Sequence, residues 1–524
     1  MDGVSVALNA FVDSRQISNG QKYSADICII GAGAAGITIA REFAGHAQSV
    51  ILLESGGLNF DQRIQELGSA EIAGRKLKDA LKGRMRYFGG STNHWGGQCV
   101  PLQPGDFEKR PGIARSGWPF TYDEIVPYYR RAHEVLKIGA FDYDATRLSR
   151  DLNLSLFPFS PATVQSVASR YNPLRFGLEY GQLLNDAANI KVMLFANVTA
   201  INLDSSHNFV RDVAVRTFAG NAFTVTAKKI VLATGGIENA RILLSSNHDQ
   251  PKGLGNQHDL VGRFFQGHLW RPAGRIVPAG NTPFLRAYVD RFDYQDRASV
   301  GFHIALPDRL AIDRQLPKFR SEIAVGSPLL EAGKRVRRAL KNPRKTLSYE
   351  DIGVLASRPL DTANRLICEV DPTPEYYLLN NYTEQLPNPE SRIMLSHRRD
   401  AMGQSLSKID WRISPQDWQG LIAAQHIIAH EVGRSGFGRM KIELPEQPEH
   451  TLDRVGTGYH HIGTTRMHED PRQGVVDGNA RVHGLANLFV AGSSVFPTGG
   501  WPNPTLTIVA LSVRLADHLK NPRV

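Results

Sequence analysis

Cysteine is scarce in this chain, with only Cys28, Cys99 and Cys368 among 524 residues. The three lie far apart and lack the paired spacing of a zinc site or of a disulfide framework. Few cysteines without a pairing pattern are typical of proteins from reducing compartments. We therefore predict a cytoplasmic location, no disulfide framework and no metal site.

Long hydrophobic runs are missing as well. Residues 482–513 carry no formal charge, but Pro497, Pro502, Pro504 and the glycine pair at 499–500 interrupt the stretch. Prolines at this density break a helix, so the segment is unsuited to span a bilayer. The N-terminus has no basic start followed by an apolar core, and we predict neither a secretory signal nor an integral membrane protein.

Acidic residues are fewer than basic ones. The chain has 51 Asp and Glu and 61 Lys and Arg, which gives a formal charge of +10 at pH 7. Much of the excess lies in the run KRVRRALKNPRK at 334–345. A solvated surface insert explains such a run, and docking to an acidic partner or a membrane surface is the alternative. No recognisable nucleic-acid motif accompanies it, so we predict no nucleic-acid binding.

The length predicts two lobes, because 524 residues with 42% hydrophobic and 21% charged side chains exceed what one hydrophobic core usually organises. Strand-type alternation occurs in IKVMLFANVTAINLD and in VRDVAVRTFAGNAFTVTAKKIVLATGG. We predict a strand meander attached to the first lobe. From about 265 to 454 the sequence becomes loop-rich with scattered strands and one amphipathic helix, which predicts the second lobe.

The first motif with chemical content is ADICIIGAGAAGITIAREFAG, followed by VILLESGG. An apolar strand over 27–30 meets a turn with three glycines, Gly31, Gly33 and Gly36. A helical pattern follows, and the next apolar strand ends in Glu54. In this order glycines permit a tight turn, close approach of backbone to a pyrophosphate and close helix packing, while the acid accepts hydrogen bonds from ribose hydroxyls. The pattern predicts an α/β dinucleotide-binding lobe of the Rossmann type.

A second glycine-rich loop, GRMRYFGGSTNHWGGQ, begins at residue 83. Its two glycine pairs, on either side of Asn93, His94 and Trp95, allow backbone to pass close to a large flat ligand. A metal at His94 is a poor interpretation because no second ligand stands at a usable spacing. A packed, hydrogen-bonded histidine is the simpler alternative.

Two adjacent histidines, His460 and His461, lie in the stretch GTGYHHIGTTRM. If this stretch is extended, successive side chains point to opposite faces, so the two imidazoles cannot address one ligand in the same way. Farther on, a helix is predicted to begin near Pro504 with Asn503 just ahead of it. Asparagine is a strong N-cap residue, so Asn503 as a structural cap is one interpretation. The same helix N-terminus would also stabilise an anionic ligand group.

Five motifs in order resemble the glucose-methanol-choline (GMC) oxidoreductase family. They are GAGAAG with LLESGG, GGSTNHWGG, VLATGGIENARILLSS, VGRFFQGH, and HHIGTTRM continuing through VVDGNARVHGLANLFVAGSSVFPTGGWPNPTLT. The resemblance covers nearly the whole chain. It implies FAD as cofactor, with the glycine turn at the pyrophosphate, Glu54 on the adenosine ribose and backbone near Val198 at the adenine.

The resemblance also implies a fold: an α/β FAD-binding lobe of the Rossmann type and a second α+β substrate-binding lobe built on an antiparallel sheet. We predict the FAD-binding domain in three parts, 20–135, 171–264 and 455–524, the last with the catalytic residues. A connection and substrate-lobe segment is predicted at 136–170, and the substrate-binding domain at 265–454.

The residues expected to bind FAD come from these motifs. They are Gly31, Gly33, Ala34, Ala35, Gly36, Glu54, Ser55, Arg84, Gly89, Gly90, Asn93, His94, Trp95, Gly96, Gly97, Val198, Ala233, Gly235, Gly492, Ser493, Pro504 and Thr505.

The family pattern YHxxGT implies that His460 is the active-site histidine. The second active-site position, His or Asn across the family, falls on Asn503. An imidazole is suited to take the hydroxyl proton of an alcohol as hydride moves to flavin N5, and Asn503 would hold the same oxygen. His461 is expected to pack or hydrogen-bond. His268 and His483 are also expected to be structural.

The resemblance narrows the substrate to a sugar or glycoside. Asparagine at 503 and the His-Trp pair in the flavin loop are similar to the pyranose oxidase and bacterial glycoside oxidase branch. In pyranose oxidases the loop histidine is bonded covalently to the flavin, and His94 aligns there. This loop lacks the threonine that follows HW in that subgroup, so covalent attachment is a hypothesis and oxygen reactivity is left open. Gln385, in NNYTEQLPNPESRIML, is our candidate for a contact to a sugar hydroxyl, with an ordinary polar strand residue as the alternative.

The predicted reaction is oxidation of a secondary alcohol of a sugar or glycoside to a ketone, with electrons passed to O2, a quinone or an electron-transfer protein. One alternative is a GMC dehydrogenase that uses a quinone or protein acceptor on a non-sugar alcohol, for which the basic run could serve as a dock. The other is a lyase of the same fold whose FAD is redox-idle. The sequence makes no prediction of the oligomeric state.

Overall fold

The computed structural model describes residues 10–75, 77, 81, 83–280, 284–294, 298–329, 332–333, 335–336, 349–360, 375–446 and 455–521. Cys368 and the basic run at 334–345, apart from residues 335 and 336, lie outside these ranges. Cys28 and Cys99 are buried and unpaired. The described helices are too short or too polar to cross a bilayer, and the described residues contain no group of three or more His, Cys, Asp or Glu that could hold a metal ion. The cytoplasmic location stays a prediction.

The strands are numbered along the chain. They are β1 (Phe11–Asp13), β2 (Lys22–Ile30), β3 (Val50–Leu53), β4 (Ala70–Ile72), β5 (Gln98–Cys99), β6 (Gln165–Tyr171), β7 (Ile190–Leu194), β8 (Asn197–Leu203), β9 (Val210–Arg216), β10 (Ala222–Leu232), β11 (Leu269–Pro278), β12 (Phe292–Asp293), β13 (Ser299–Ala305), β14 (Phe319–Gly326), β15 (Tyr376–Thr383), β16 (Arg392–Arg399), β17 (Ser405–Asp410), β18 (Gly438–Ile442) and β19 (Leu488–Val490).

The α-helices are numbered in the same way. They are α1 (Ala34–Phe43), α2 (Gln62–Glu66), α3 (Pro104–Phe107), α4 (Tyr122–Leu136), α5 (Ala145–Asp151), α6 (Phe176–Asp186), α7 (Glu238–Ser245), α8 (Leu285–Val289), α9 (Asp308–Asp313), α10 (Tyr349–Ser357), α11 (Pro415–Arg434) and α12 (Thr505–Lys520).

The first sheet has the strand order β1-β7-β3-β2-β10-β9-β8, with β19 also paired to β10. The pairs β1–β7, β7–β3, β3–β2, β2–β10 and β10–β19 are parallel. Residues 27–30 of β2 are buried on both faces, as expected for a central strand of a parallel sheet. The predicted meander is present in β8, β9 and β10, which pair antiparallel. Strand β7 instead continues the parallel part.

The second sheet is antiparallel, with the order β18-β11-β15-β14-β13-β6-β5 and β12 beside β13. It has its own hydrophobic cluster, which includes Phe302, Leu379 and Ile428 of α11. A larger cluster surrounds the first sheet. Two cores confirm the prediction of an α/β lobe with a second lobe built on an antiparallel sheet.

A small third sheet joins distant parts of the chain. Strands β16 and β17 form the hairpin 392–410, and β17 pairs parallel with β4 near residue 71. The hairpin also packs against α7. Both strands of the hairpin fall in the region from about 265 to 454 that the sequence assigns to the second lobe, but they lie outside the second sheet.

Candidate active site

The glycine turn after β2 has the geometry that the motif predicts. Gly31 has a φ of +103°, and a Cβ there would lie 2.7 Å from the carbonyl oxygen of Ala233. A Cβ on Gly36 would lie 1.9 Å from the Gly31 carbonyl oxygen, so this glycine lets α1 pack against the turn. A Cβ on Gly33 would have no atom within 4 Å. Gly33 therefore faces open space, where backbone can approach a ligand.

The open space belongs to a cavity of about 680 Å³ that runs from this turn to the paired histidines. Most of the residues predicted to bind FAD line it: Gly31, Gly33, Ala34, Ala35, Glu54, Ser55, Arg84, Gly90, His94, Trp95, Gly96, Gly97, Val198, Ala233, Gly235, Gly492, Ser493, Pro504 and Thr505. His460 and Asn503 line the same cavity.

Three of the predicted FAD-binding residues do not line the cavity: Gly36, Gly89 and Asn93. Gly36 packs under the turn. Gly89 has a φ of +96° and lies against the side chain of Asn93, whose amide donates to the Phe88 carbonyl over 2.9 Å. These residues shape the loops that line the cavity.

Glu54 lies where the ribose of a dinucleotide is expected. Its carboxylate accepts hydrogen bonds from the backbone amides of Ala32 (3.0 Å) and Gly56 (2.9 Å) and from the hydroxyl of Ser55 (3.1 Å). The backbone therefore holds the carboxylate in place. A carboxylate has about four lone-pair sites, so acceptor capacity is left for hydroxyls of a ligand.

A cluster of arginines also lines the cavity, and only Arg84 is predicted from the sequence. Glu238 accepts from Arg84 (3.0 Å), Arg86 (3.3 Å) and Arg241 (3.2 Å). Burial alone would raise the pKa of Glu238, but Arg241, Arg86 and Arg84 lower it to about 2. Arg241 also binds Asp400 at 2.5 Å. Three guanidiniums against two carboxylates leave a positive charge, which suits a pyrophosphate.

The turn of the hairpin 392–410 also contributes to the cavity. Its residues Asp400, Met402 and Gln404 are among the lining residues, as is Val198, the position predicted near the adenine. Arg241 fixes the turn by donating to Asp400 and to the Ser405 carbonyl oxygen, the latter over 2.8 Å. No sequence pattern indicates this contact, because a strand pattern does not say which other segment the hairpin touches.

His460 is held by a second histidine at the opposite end of the cavity. His460 Nδ1 lies 2.6 Å from His268 Nδ1, and His268 Nε2 lies 2.8 Å from the Gly500 carbonyl oxygen. The carbonyl only accepts, so neutral His268 carries its proton on Nε2 and accepts at Nδ1. His460 must then donate from Nδ1, which leaves its Nε2 unprotonated. The arrangement selects the tautomer in which His460 Nε2 is a base.

Both histidines are uncharged at neutral pH. Burial lowers the pKa of His460 well below its ordinary value, and His268 and Arg320 lower it further. Burial also lowers the pKa of His268 to about 4. His268 contacts the candidate base His460 directly, and the predicted structural role of His268 did not include this contact.

Asn503 does not cap α12. The N-cap residue is Pro504, and no side chain makes a capping hydrogen bond. The Asn503 side-chain oxygen accepts from Arg320 Nη2 over 3.0 Å. The guanidinium can only donate, so the oxygen of the amide must face it and the NH2 group is left for the cavity. The capping interpretation is thus wrong, and Asn503 offers a hydrogen-bond donor near His460.

The other histidines take different places. His461 is buried and stacks on Phe265, with ring centroids 5.9 Å apart, as its predicted packing role requires, but it also lines the cavity beside His460. His483 Nε2 lies 2.8 Å from the His468 carbonyl oxygen. His94 is exposed on the cavity wall, and its Nε2 lies 2.7 Å from the Tyr87 hydroxyl. Covalent attachment of flavin to His94 stays a prediction.

Gln385 does not contact the cavity, which corrects the prediction of a substrate contact. The residue is 1% exposed. Its oxygen accepts from the Trp411 indole (2.8 Å) and the Gly267 amide (3.1 Å), and its nitrogen donates to the Arg412 carbonyl oxygen (2.6 Å). These bonds occupy the side chain on both ends, so Gln385 joins β15 to neighbouring segments.

Five polar residues that sequence reasoning missed line the cavity near His460: Gln98, Tyr171, Arg291, Glu322 and Tyr382. They come from β5, β6, the residue before β12, β14 and β15. Adjacent strands of the antiparallel sheet bring them together, and no motif marks them in the sequence.

Comparison with known proteins agrees with the resemblance. Residues 387–512 match a family model described as GMC oxidoreductase. The chain is 23% identical to the fructose dehydrogenase large subunit of Gluconobacter japonicus, over 95% of this chain and 98% of that protein. A 121-residue stretch, 23% of this chain, is 35% identical to 22% of the C-glycoside 3-oxidase of Arthrobacter globiformis. The solved structure of pyridoxine 4-oxidase from Mesorbium loti matches with a TM-score of 0.56 at 19% identity, covering 94% of this chain and 98% of that one.

Proposed function

Because the chain belongs to the GMC oxidoreductases, FAD-dependent enzymes that act on CH–OH donors, we propose that it oxidises a secondary alcohol of a sugar or glycoside to a ketone. His460 is the base in this proposal and Asn503 the orienting partner. The observation that carries it is the approach of His460 and Asn503 to one cavity that also contains the glycine turn.

The cavity fits FAD. The open space at Gly33, the carboxylate of Glu54 and the excess of positive charge around Arg84 suit the pyrophosphate and the ribose of a dinucleotide. Pro504 and Thr505 at the start of α12 line the other end, where a helix N-terminus stabilises negative charge. When bound, FAD supplies an acceptor for the hydride that leaves the alcohol carbon.

His460 and Asn503 divide the work on the substrate oxygen. Neutral His460 accepts the hydroxyl proton at Nε2, because an alkoxide releases hydride far more readily than a neutral alcohol. The NH2 group of Asn503 donates to the same oxygen and sets which carbon faces the acceptor. Positioning of this kind contributes several kcal/mol to catalysis.

The lining near His460 supports a polyhydroxylated substrate. The Glu322 carboxylate and the Tyr382 hydroxyl offer an acceptor and a donor in a space that is also bounded by the rings of Tyr171 and Tyr382. Arg291 lies over the Tyr171 ring, with its guanidinium carbon 3.9 Å from the ring centroid. Rings and mixed polar groups suit the flat faces and the hydroxyls of a sugar. The names of two relatives, fructose dehydrogenase and C-glycoside 3-oxidase, point to the same class.

Flavin reduction is expected to persist in acid, because the pKa of His460 is lowered. A lowered pKa keeps the imidazole neutral, and able to accept a proton, where an exposed histidine is already protonated. The anaerobic reduction rate should therefore stay flat from pH 8 down to about pH 5.5, roughly one unit below the ordinary histidine pKa. Stopped-flow spectroscopy checks this. A decline with its midpoint near pH 6.5 would contradict the neutral state assigned to His460.

Anaerobic flavin bleaching tests the function itself. We expect free sugars or glycosides to bleach the holoenzyme, and simple alcohols of one or two carbons to do so much more slowly. Holoenzyme that no alcohol bleaches would instead indicate a lyase with redox-idle FAD. Turnover in air compared with turnover with a quinone then separates an oxidase from a dehydrogenase.

A further inference from the structure

Arg320 is a buried cation directly behind the candidate active site. It lies on β14, its side chain is 0% exposed, and it does not itself line the cavity. One nitrogen, Nη1, donates to Glu322 Oε1 over 2.7 Å. The other, Nη2, donates to the side-chain oxygens of Gln98 (2.9 Å) and Asn503 (3.0 Å). Each of these three partners lines the cavity.

The donor-only chemistry of the guanidinium determines how both carboxamides are oriented. An amide in water can present either its oxygen or its nitrogen, but Arg320 can only donate and therefore binds only the amide oxygen. Gln98 must then direct its NH2 group the other way, and it does so toward Ser169 (3.2 Å), Tyr171 (3.0 Å) and His303 (3.1 Å). Asn503 likewise keeps its NH2 group for the cavity. Without Arg320, the Asn503 amide is free to rotate and present an acceptor to the substrate oxygen.

The positive charge of Arg320 also favours Asn503 as a hydrogen-bond donor toward the cavity. The guanidinium is packed over the Tyr382 ring, with its carbon 4.2 Å from the centroid, and has no access to water. The carboxylate of Glu322, whose side chain is partly exposed, pairs with this guanidinium. Asn503 lies between this cation and the cavity. A hydrogen bond from a cation polarises the amide and strengthens the donor on its far side.

We propose that Arg320 is a positioning residue for the oxidation: it fixes the Asn503 amide with the NH2 group toward the substrate oxygen and supplies a permanent positive charge behind it. The proposal rests on the proposed function. The oxygen that loses its proton to His460 becomes negative, and the pair of Arg320 and Asn503 stabilises that charge without a change of protonation. Because this positive charge comes from Arg320, His460 does not need to carry one before the reaction and can act as a neutral base.

A double-mutant cycle tests the proposal. Holoenzyme with Arg320→Met, with Asn503→Ala and with both changes is compared by anaerobic stopped flow, using the sugar that reduces the wild type fastest. We expect Arg320→Met to slow flavin reduction about 100-fold in the wild type but less than about threefold in Asn503→Ala, because the residue acts through Asn503. Equal losses in both backgrounds would overturn the proposal.

Arg320→Lys covers the case in which Arg320→Met fails to fold. Lysine keeps the charge, but its compact ammonium does not reproduce the planar fork that binds Gln98 and Asn503 together. We expect Arg320→Lys to slow flavin reduction about tenfold in the wild-type background and to have no such effect in Asn503→Ala. Arg309→Met, at a surface site with an 85% exposed side chain, is the matched control and should leave the rate unchanged.

The pH profile gives a readout that a purely structural role would not change. The groups that act on His460 are His268, Arg320 and His461, all of which lower its pKa after burial. Removing the positive charge of Arg320 favours protonation, so the acid limb of the reduction rate should move to higher pH in Arg320→Met and stay in place in Arg320→Lys. An unmoved limb in Arg320→Met would contradict the electrostatic part. Failure of the proposed function looks different, since no sugar would then reduce even the wild type.

Discussion

Replacing His460 with alanine is expected to slow anaerobic flavin reduction by the best sugar donor about 10³-fold or more, in the range of general-base catalysis, while FAD stays bound. The reason is the chain of hydrogen bonds that runs from the Gly500 carbonyl oxygen through His268 to His460. It leaves Nε2 of His460 as an unprotonated acceptor in the cavity. Alanine removes that acceptor, whereas the FAD-binding turn at the far end of the cavity is untouched. The rate is measured by stopped flow and the bound flavin by absorbance.

The neighbouring histidine provides the control. His461 packs on Phe265, so His461→Ala should lower the melting temperature but slow flavin reduction less than about tenfold. If the two variants lost the same activity, or if His460→Ala were reduced at the wild-type rate, the assignment of the base would be wrong.

Replacing Gly36 with alanine is expected to abolish the holoenzyme by destabilising the turn. The new Cβ would lie 1.9 Å from the Gly31 carbonyl oxygen, and backbone on both sides cannot move without separating α1 from β2. Overpacking of this kind costs about 3 kcal/mol of unfolding free energy, and the FAD site is distorted with it. The melting temperature and the flavin content after purification measure both effects.

Gly33→Ala is the matched comparison, because a Cβ there meets no protein atom within 4 Å. Its apoprotein should unfold within about 1 kcal/mol of wild-type apoprotein, the size of a changed N-cap residue. Its affinity for FAD should nevertheless fall about tenfold or more, since the methyl group enters the space where backbone must approach the pyrophosphate. Wild-type affinity in Gly33→Ala would show that the cofactor does not pass this turn.

Local patterns predicted the parts of the site that one stretch of chain forms alone. The turn from Gly31 to Gly36 and the acid Glu54 follow one another closely, and they need only the order of strand, turn, helix and strand. His460 and Asn503 were placed by motifs of the C-terminal segment. Both residues line the cavity, and their roles in catalysis stay a prediction.

The supporting residues were not predictable in this way. His268, Gln98 and Arg320 come from segments separated by more than fifty residues each, and they meet only through the pairing of antiparallel strands. Gln385 shows the converse error. It follows directly after β15, and its sequence context does not reveal which side of the sheet its side chain lies on. For the missed residues and for Gln385 alike, strand register and the choice of paired strands decide whether a side chain reaches the site.

The hairpin 392–410 has a consequence for how the protein retains its cofactor. Its turn contributes Asp400, Met402 and Gln404 to the cavity lining, and it is fastened by the β4–β17 ladder and by Arg241. Breaking that ladder and that ion pair is a local unfolding event, and it would remove this part of the lining from a bound dinucleotide. We therefore expect the rate at which bound flavin is lost to depend on the local stability of this hairpin as well as on the contacts that the cofactor itself makes.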